Sequence, residues 1–312
     1  MKNRIVFVHG RARKPSEDNL RSLWYDAIRS GLERDFGRDA VNAFENTPKD
    51  FVYYGDLSNK FLKEEEEDPE SRIQALNLLC QIGKNDFTKD KFEALSKLGC
   101  LKEALADTFS GVLGCLRLAD DFISAVAPDI ENYWNEEDYY GSDIRHRLLQ
   151  VLRDALKKEE RIMLIGHSLG SVICYDNLWK LSHYGEYREE FGDKKRVDLL
   201  VTMGSPLGDI TVKRRLKGSK SKGKKRYPLN IKRWVNISAE DDYISHDSKL
   251  ADDFKAMAGY GIIQEPVKDI YPVYNMTVRG GRSNPHASMG YLIHPGFIET
   301  LHSWIKEGAL GS

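Results

Sequence analysis

The sequence predicts an α/β protein, with a mainly parallel central sheet flanked by helices and a helical, cap-like insertion within it. Three observations carry this. Short apolar runs of strand length recur at residues 5–11, 51–54, 161–165, 197–202, 233–238 and 271–278, and helix-spaced segments separate most of them. The run at 161–165 leads straight into Gly166-His-Ser-Leu-Gly170, which opens into a helix signal at 171–181. Residues 57–140 break the alternation and carry helical spacing alone.

Residues 5–11 (Ile-Val-Phe-Val-His-Gly-Arg) read as a buried strand ending at a His-Gly step. A helix over 18–36 follows, with Leu20, Leu23, Trp24, Ala27, Ile28, Gly31 and Leu32 on one face. The second strand is placed at 51–54. Within the insertion, the acidic run 64–68 reads as a solvated face or a helix start. Ala75, Leu76, Leu79 and Ile82 mark one helix, 92–98 a second, and 101–127 one or two more. Such an insertion either covers an active site or packs elsewhere on the sheet. Its aromatic stretches at 129–134 and 138–140 fit a cleft wall or ordinary packing equally well. A last helix is expected to start near Pro295, capped by His294.

A chain of 312 residues is long enough for one such domain over 1–312, with 57–140 inserted in it. Its 41% hydrophobic and 30% charged content is that of an ordinary globular chain. The formal net charge of −1 implies no bulk attraction to nucleic acid or membrane, so no nucleic-acid partner is expected. Cys80, Cys100, Cys115 and Cys174 have no paired spacing and read as reduced core residues. With no signal peptide in Lys2-Asn-Arg4 and no spanning apolar run, a cytoplasmic location is the expectation. The basic run 213–227 reads as a solvated loop or as a contact for a phosphate or an anionic membrane surface.

The chemistry centres on the Gly-x-Ser-x-Gly turn. Glycines at 166 and 170 let the chain turn sharply between strand and helix, leaving Ser168 at the apex. A serine hydroxyl there needs a base to take its proton and an acid to orient that base. Later strands open into Asp241-Asp242 and into Asn284-Pro-His286, which supply both types. His246 and His294 are rivals for the base, the first lying very near the acid in sequence.

Phe-Val-His-Gly near the N-terminus, Gly-His-Ser-Leu-Gly, Met-Gly-Ser-Pro-Leu-Gly at 203–208, Trp-Val-Asn-Ile-Ser and the late Pro-His together resemble the α/β-hydrolase superfamily, in its lipase and esterase branch. The resemblance covers 1–56 and 142–306 and leaves out the segment between. It implies a catalytic set of Ser168, Asp242 and His286, with Asp241 the competitor for the acid. It implies an oxyanion hole from the N–H groups of Leu169 and Arg11, and substrate contacts at Gly10, His167, Pro206 and Leu207. The activity it implies is carboxylic-ester hydrolysis on a small-molecule or lipid ester through an acyl-enzyme, with no metal or organic cofactor. The same residues would serve a thioesterase or peptidase, and the same fold a non-catalytic effector or binding protein.

Overall fold

Apolar runs at six places in the chain form one parallel sheet: β1 (Asn3–Val8), β2 (Lys49–Val52), β3 (Arg161–His167), β4 (Val197–Met203), β5 (Ile231–Ala239) and β6 (Lys268–Val273). The structure, a computed structural model, describes residues 2–60, 62, 69–96, 128–135, 137–245 and 249–310. Strand order is β2-β1-β3-β4-β5-β6, and every neighbouring pair runs parallel. Near-continuous burial along β3 and β4 fits a sheet covered on both faces.

Alternation sends successive side chains to opposite layers. Ile5, Phe7, Met163 and Ile165 join one core with the helices Glu17–Phe36, Arg38–Asn46, Ser288–Ile293 and Pro295–Leu310. Val6, Val8, Ile162 and Leu164 join the other with Tyr140–Lys157 and Leu169–His183. The seven residues expected on the buried face of the first long helix are all buried, and Ser16 caps it by accepting from the Asn19 N–H. Polar groups inside the sheet are paired: Trp234 Nε1 donates to Thr202 Oγ1 at 3.0 Å, Thr202 Oγ1 donates to Asn236 Oδ1 at 2.9 Å, and Asn236 Nδ2 donates to Asp269 at 3.0 Å.

The strand order fixes where a site can form. The chain leaves β1 toward β2 on one side and returns to β3 on the other, so a crevice opens beyond the carboxyl ends of β1 and β3. The register sets Val8 opposite Gly166, which brings His9-Gly10-Arg11 and the turn at Ser168 to that crevice.

Several expectations need correction. The strand placed at 271–278 ends at Val273, because Asn275 and Thr277 hydrogen-bond within a loop instead of a ladder. Helix Arg38–Asn46 escaped the reading. Cys174 is in the core as expected, but Cys80 is exposed at a helix end. In the insertion, helices Pro69–Cys80 and Lys89–Ser96 bury Ala75, Leu76, Leu79 and Phe92 in the core that holds the first long helix. Helix Pro128–Trp134 buries Tyr133 in the opposite core, hydrogen-bonded to Asp176 at 2.9 Å, so the packing reading fits that aromatic segment. Tyr139, in the second aromatic stretch, is exposed. The acidic run, the helices expected over 101–127, Cys100, Cys115 and His246 lie outside the described residues. Among the described residues no helix is long and apolar enough to cross a membrane.

Candidate active site

The turn after β3 is held against the end of β1. A Cβ on Gly170 would fall 2.3 Å from the Val8 carbonyl oxygen, so only a glycine lets the following helix seat there. Ser168 has φ 54° and ψ −126°, a region that a residue with a side chain rarely occupies. Its N–H donates to the Met203 carbonyl at 3.0 Å, and its own carbonyl accepts from the Ser171 N–H at 2.9 Å and the Ser171 hydroxyl at 2.6 Å. Those bonds hold the strained conformation from both sides.

His286 lies 118 positions further on, yet its Nε2 is 3.0 Å from Ser168 Oγ. Its Nδ1 sits 3.0 and 2.9 Å from the two oxygens of Asp242, on the turn after β5. A carboxylate only accepts, so the ring proton is on Nδ1 and Nε2 is free to accept from the serine hydroxyl. The Asp242 side chain is fully buried. Burial pushes its carboxyl up, but the charge of His286 and hydrogen bonds from His286, Tyr291 and the Ile244 N–H outweigh that and hold it below the usual carboxylate range. Tyr291 donates to Oδ2 at 2.5 Å. Burial first, and Asp242 next, push its phenol well above the ordinary value, so it remains a donor.

Asp241 is exposed in the turn, with φ 60°, and the contact with His286 belongs to Asp242. His294 does what was expected of it, its Nδ1 accepting from the Gly296 N–H at 3.0 Å at the start of the last helix.

Two further residues, Asn275 and Gly204, shape the site and were not singled out from sequence. Asn275 Nδ2 donates to the carbonyls of Pro285 and Ala287, both at 2.9 Å, one on each side of His286. Asn275 Oδ1 accepts from Thr277 Oγ1 at 2.7 Å, and the Asn284 N–H donates to the Thr277 carbonyl at 2.8 Å. Gly204, with φ +52°, passes behind Asp242 and His286, where a Cβ would fall 2.9 Å from Asp242 Oδ2 and 3.1 Å from His286 Nδ1. Asn and Gly are common in loops, so neither carried a local signal.

The His-Gly step after β1 is fixed by its own histidine. The Tyr54 N–H donates to His9 Nε2 at 3.0 Å, which leaves the proton on Nδ1 to donate to the Gly10 carbonyl at 2.7 Å. Burial, reinforced by the charge of Lys14, lowers the His9 pKa to about 3, so this ring is neutral. Gly10 backs directly onto the serine, since a Cβ there would lie 2.7 Å from the Ser168 Cβ. His167 Nε2 donates to the His286 carbonyl at 2.9 Å. Burial, then the charge of His286, hold His167 well below its ordinary pKa.

A cavity of about 80 Å³ opens at Ser168 and His286, with Arg11, His167, Trp24 and Met289 in its walls. Pro206 and Leu207, expected as substrate contacts, do not line it. They form a buried turn after β4, where Ser205 Oγ accepts from the Leu207 N–H at 3.2 Å and meets Ser171 Oγ at 2.7 Å. The turn therefore props the helix after Ser168 from behind.

The basic run 213–227 forms part of the helix Ile210–Arg215 and a short turn at Gly223–Arg226. Lys213 pairs with Asp253 at 2.6 Å, Arg215 with Glu131, and the Lys217 N–H donates to Asp176 at 2.8 Å. It borders a separate groove that shares no described residue with the Ser168 cavity. Among the described residues no group of three or more His, Cys, Asp and Glu side chains could hold a metal ion.

No known protein family, curated protein or solved structure matches this chain. The functional reading therefore rests on the geometry.

Proposed function

We propose that the chain is a serine hydrolase of carboxylic esters, built on an α/β-hydrolase-like fold. One observation carries the reading: a strained serine at a strand–helix turn, 3.0 Å from a histidine nitrogen whose other nitrogen is held by a buried carboxylate. Nucleophile, base and orienting carboxylate within hydrogen-bond reach are the arrangement an activated serine requires, and the backbone strain at Ser168 supports a functional use.

In this mechanism His286 Nε2 takes the Ser168 proton as Oγ attacks the ester carbonyl. The negative charge moves to the carbonyl oxygen, which the N–H groups of Leu169 and Arg11 receive. Leu169 opens a helix, where backbone donors have no partner within the helix, and Arg11 lines the same cavity. The tetrahedral intermediate collapses, and protonated His286 gives its proton to the departing alcohol. A water then loses its proton to His286, attacks the acyl carbon and releases the acid, and Ser168 recovers its hydrogen. Asp242 steadies the imidazolium that forms in each half of the cycle.

The small cavity supports a short acyl group over a long lipid chain, since sites for drug-sized ligands are typically ~300 Å³ or more. The test is labelling with a fluorophosphonate probe. The wild-type protein should label and the Ser168→Ala variant should not, with hydrolysis of short esters lost by roughly a thousandfold or more. A folded wild-type protein that neither labels nor cleaves any short ester would overturn the reading.

A further inference from the structure

We infer that the basic run 213–227 is a docking strip for an anionic membrane surface, seating its acidic lipid headgroups. The groove it borders shares no described residue with the Ser168 cavity, so the inference goes beyond the hydrolase reading and stands or falls without it. Nine of the 15 residues in the run are Lys or Arg and none is Asp or Glu, in a chain whose net charge is −1. The run is strapped by its backbone along the helix Leu169–His183. The Lys217 N–H donates to Asp176 at 2.8 Å, Trp179 Nε1 donates to the Lys225 carbonyl at 2.9 Å, and His183 Nε2 donates to the Tyr227 carbonyl at 2.8 Å. Gly218, with φ +83°, lies against Trp179, where a Cβ would fall 2.1 Å from Nε1.

Backbone bonds order the strip and leave its lysines over. Lys220, Lys222, Lys224 and Lys225 are exposed, and none of the four is in an ion pair among the described residues. Of the acids on the neighbouring groove, Glu131 pairs with Arg215 and Asp176 is buried on Tyr133, which leaves Glu137. Like charges crowded in this way repel one another, so their density points to a counter-charge outside the protein. The unpaired cations are lysines, hydrated point charges suited to a diffuse anionic surface, whereas guanidinium forks suit fixed carboxylate or phosphate partners. Tyr184 is exposed beside them, with the ammonium groups of Lys180 and Lys217 5.4 and 6.0 Å from its ring. Amphipathic aromatics and snorkelling lysines together favour a membrane–water interface. The tryptophans on the groove already have partners, Arg215 over Trp134 at 5.3 Å and His183 against Trp179 at 4.9 Å. A nucleic-acid strand would have to compete with those contacts to stack its bases.

The experiment is co-sedimentation of the purified full chain with vesicles of phosphatidylcholine alone and of phosphatidylcholine with about a third phosphatidylserine. The expected result is binding to the anionic vesicles only, falling about tenfold or more as ionic strength rises from about 0.1 to about 0.5 M. A lysine near an anionic leaflet adds roughly fivefold to partition, so Lys220→Gln, Lys222→Gln, Lys224→Gln and Lys225→Gln together should lower binding about a hundredfold or more. The side chains are exposed and the strapping bonds run to the backbone, so this variant should keep the wild-type melting temperature. Lys220→Gln with Lys222→Gln alone should give an intermediate loss. A control with Lys84→Gln, Lys89→Gln, Lys91→Gln and Lys306→Gln, on segments packed in the opposite core, has the same net charge and should bind as the wild type does. Equal binding to both vesicles, binding to neither, or binding unmoved in the four-lysine variant would overturn the inference. An equal loss in the control would also overturn it, by assigning the attraction to net charge. Tighter, lysine-dependent binding to an oligonucleotide would reassign the strip to nucleic acid. Release from the vesicles by millimolar inorganic phosphate at constant ionic strength would reassign it to the free anion.

Discussion

Tyr291 donates its phenolic hydrogen to Asp242 at 2.5 Å while its oxygen accepts the Ala239 N–H at 3.0 Å. One side chain from the helix Ser288–Ile293 thus fixes both the carboxylate and the end of the strand that presents it. The pair is buried, and the acceptor is charged, which makes the bond stronger than one between neutral groups.

Replacing Tyr291 with Phe removes that donor and leaves the carboxylate with fewer partners. A hydrogen bond to a buried charge is worth about 1.5–3 kcal/mol, so kcat on a short ester should fall roughly tenfold to a hundredfold. The acid side of the stability profile should move as well. Asp242 is held below its ordinary value, so its contribution is present above the unfolded carboxylate pKa and is lost as pH falls through the folded one. Without Tyr291 the folded value rises toward the unfolded one, so the contribution is smaller and its loss is complete at a higher pH. Urea midpoints measured from about pH 3 to 6 would show it, and superimposable wild-type and variant profiles would contradict it.

Asn275 braces the loop of His286 instead of Asp242. Its amide holds the carbonyls on both sides of His286, so Asn275→Ala should let that loop drift while the serine and the acid stay in place. Labelling of Ser168 should slow by about tenfold or more, since sub-ångström misplacement of a catalytic group is costly. Asn275→Asp should be worse than Ala, because a carboxylate, besides being unable to donate, sets its negative charge against both carbonyl oxygens. An Asp variant that labels at the wild-type rate would show that the clamp has no part in positioning His286.

Backbone strain at Ser168 separates stability from activity. Glycine accepts φ 54° and ψ −126° without penalty, whereas alanine keeps the strain and loses the hydroxyl. Both Ser168→Gly and Ser168→Ala should be inactive, but the Gly variant should be the more stable by about 1 kcal/mol, a few degrees in melting temperature. Calorimetry decides the matter. An Ala variant as stable as Gly, or more so, would mean that the turn stores no strain.

His9 sets a dependence of stability on acid. In the unfolded chain it takes up a proton near pH 6.5, but in the folded protein it resists until about pH 3. Between those values the unfolded state binds more protons, so stability is complete above about pH 6.5 and falls as the pH drops. His9→Gln offers an amide donor and acceptor in place of the ring and removes the titration. Denaturant midpoints should then differ less between pH 7 and about pH 5 than in the wild type. An unchanged difference would assign the acid sensitivity to other groups, such as His294, whose pKa burial lowers to about 4.

Much of this protein is legible in short-range pattern. Apolar runs of strand length, the face Leu20 to Leu32 and the Gly166–Gly170 turn are local regularities, and local regularities follow from backbone geometry that repeats every two or 3.6 residues. They place five of the six strands and the helix after the turn, overlap the sixth only at 271–273, and nominate Ser168, with His286 and a choice of aspartates at the ends of later strands. Local pattern has no means of choosing Asp242 over Asp241, two adjacent carboxylates in one turn. The choice comes from the path of the chain at the end of β5, which buries one beside His286 and leaves the other in water. The same holds for Asn275 and Tyr291, whose partners are loops and strand ends fixed by packing. Pro206 and Leu207 show the converse: a motif suited to a pocket wall became a buried prop because the helix behind Ser168 needed support there. Hydrogen bonds, field and burial depend on distance in space, and only the folded sheet brings residues more than a hundred positions apart to 3.0 Å.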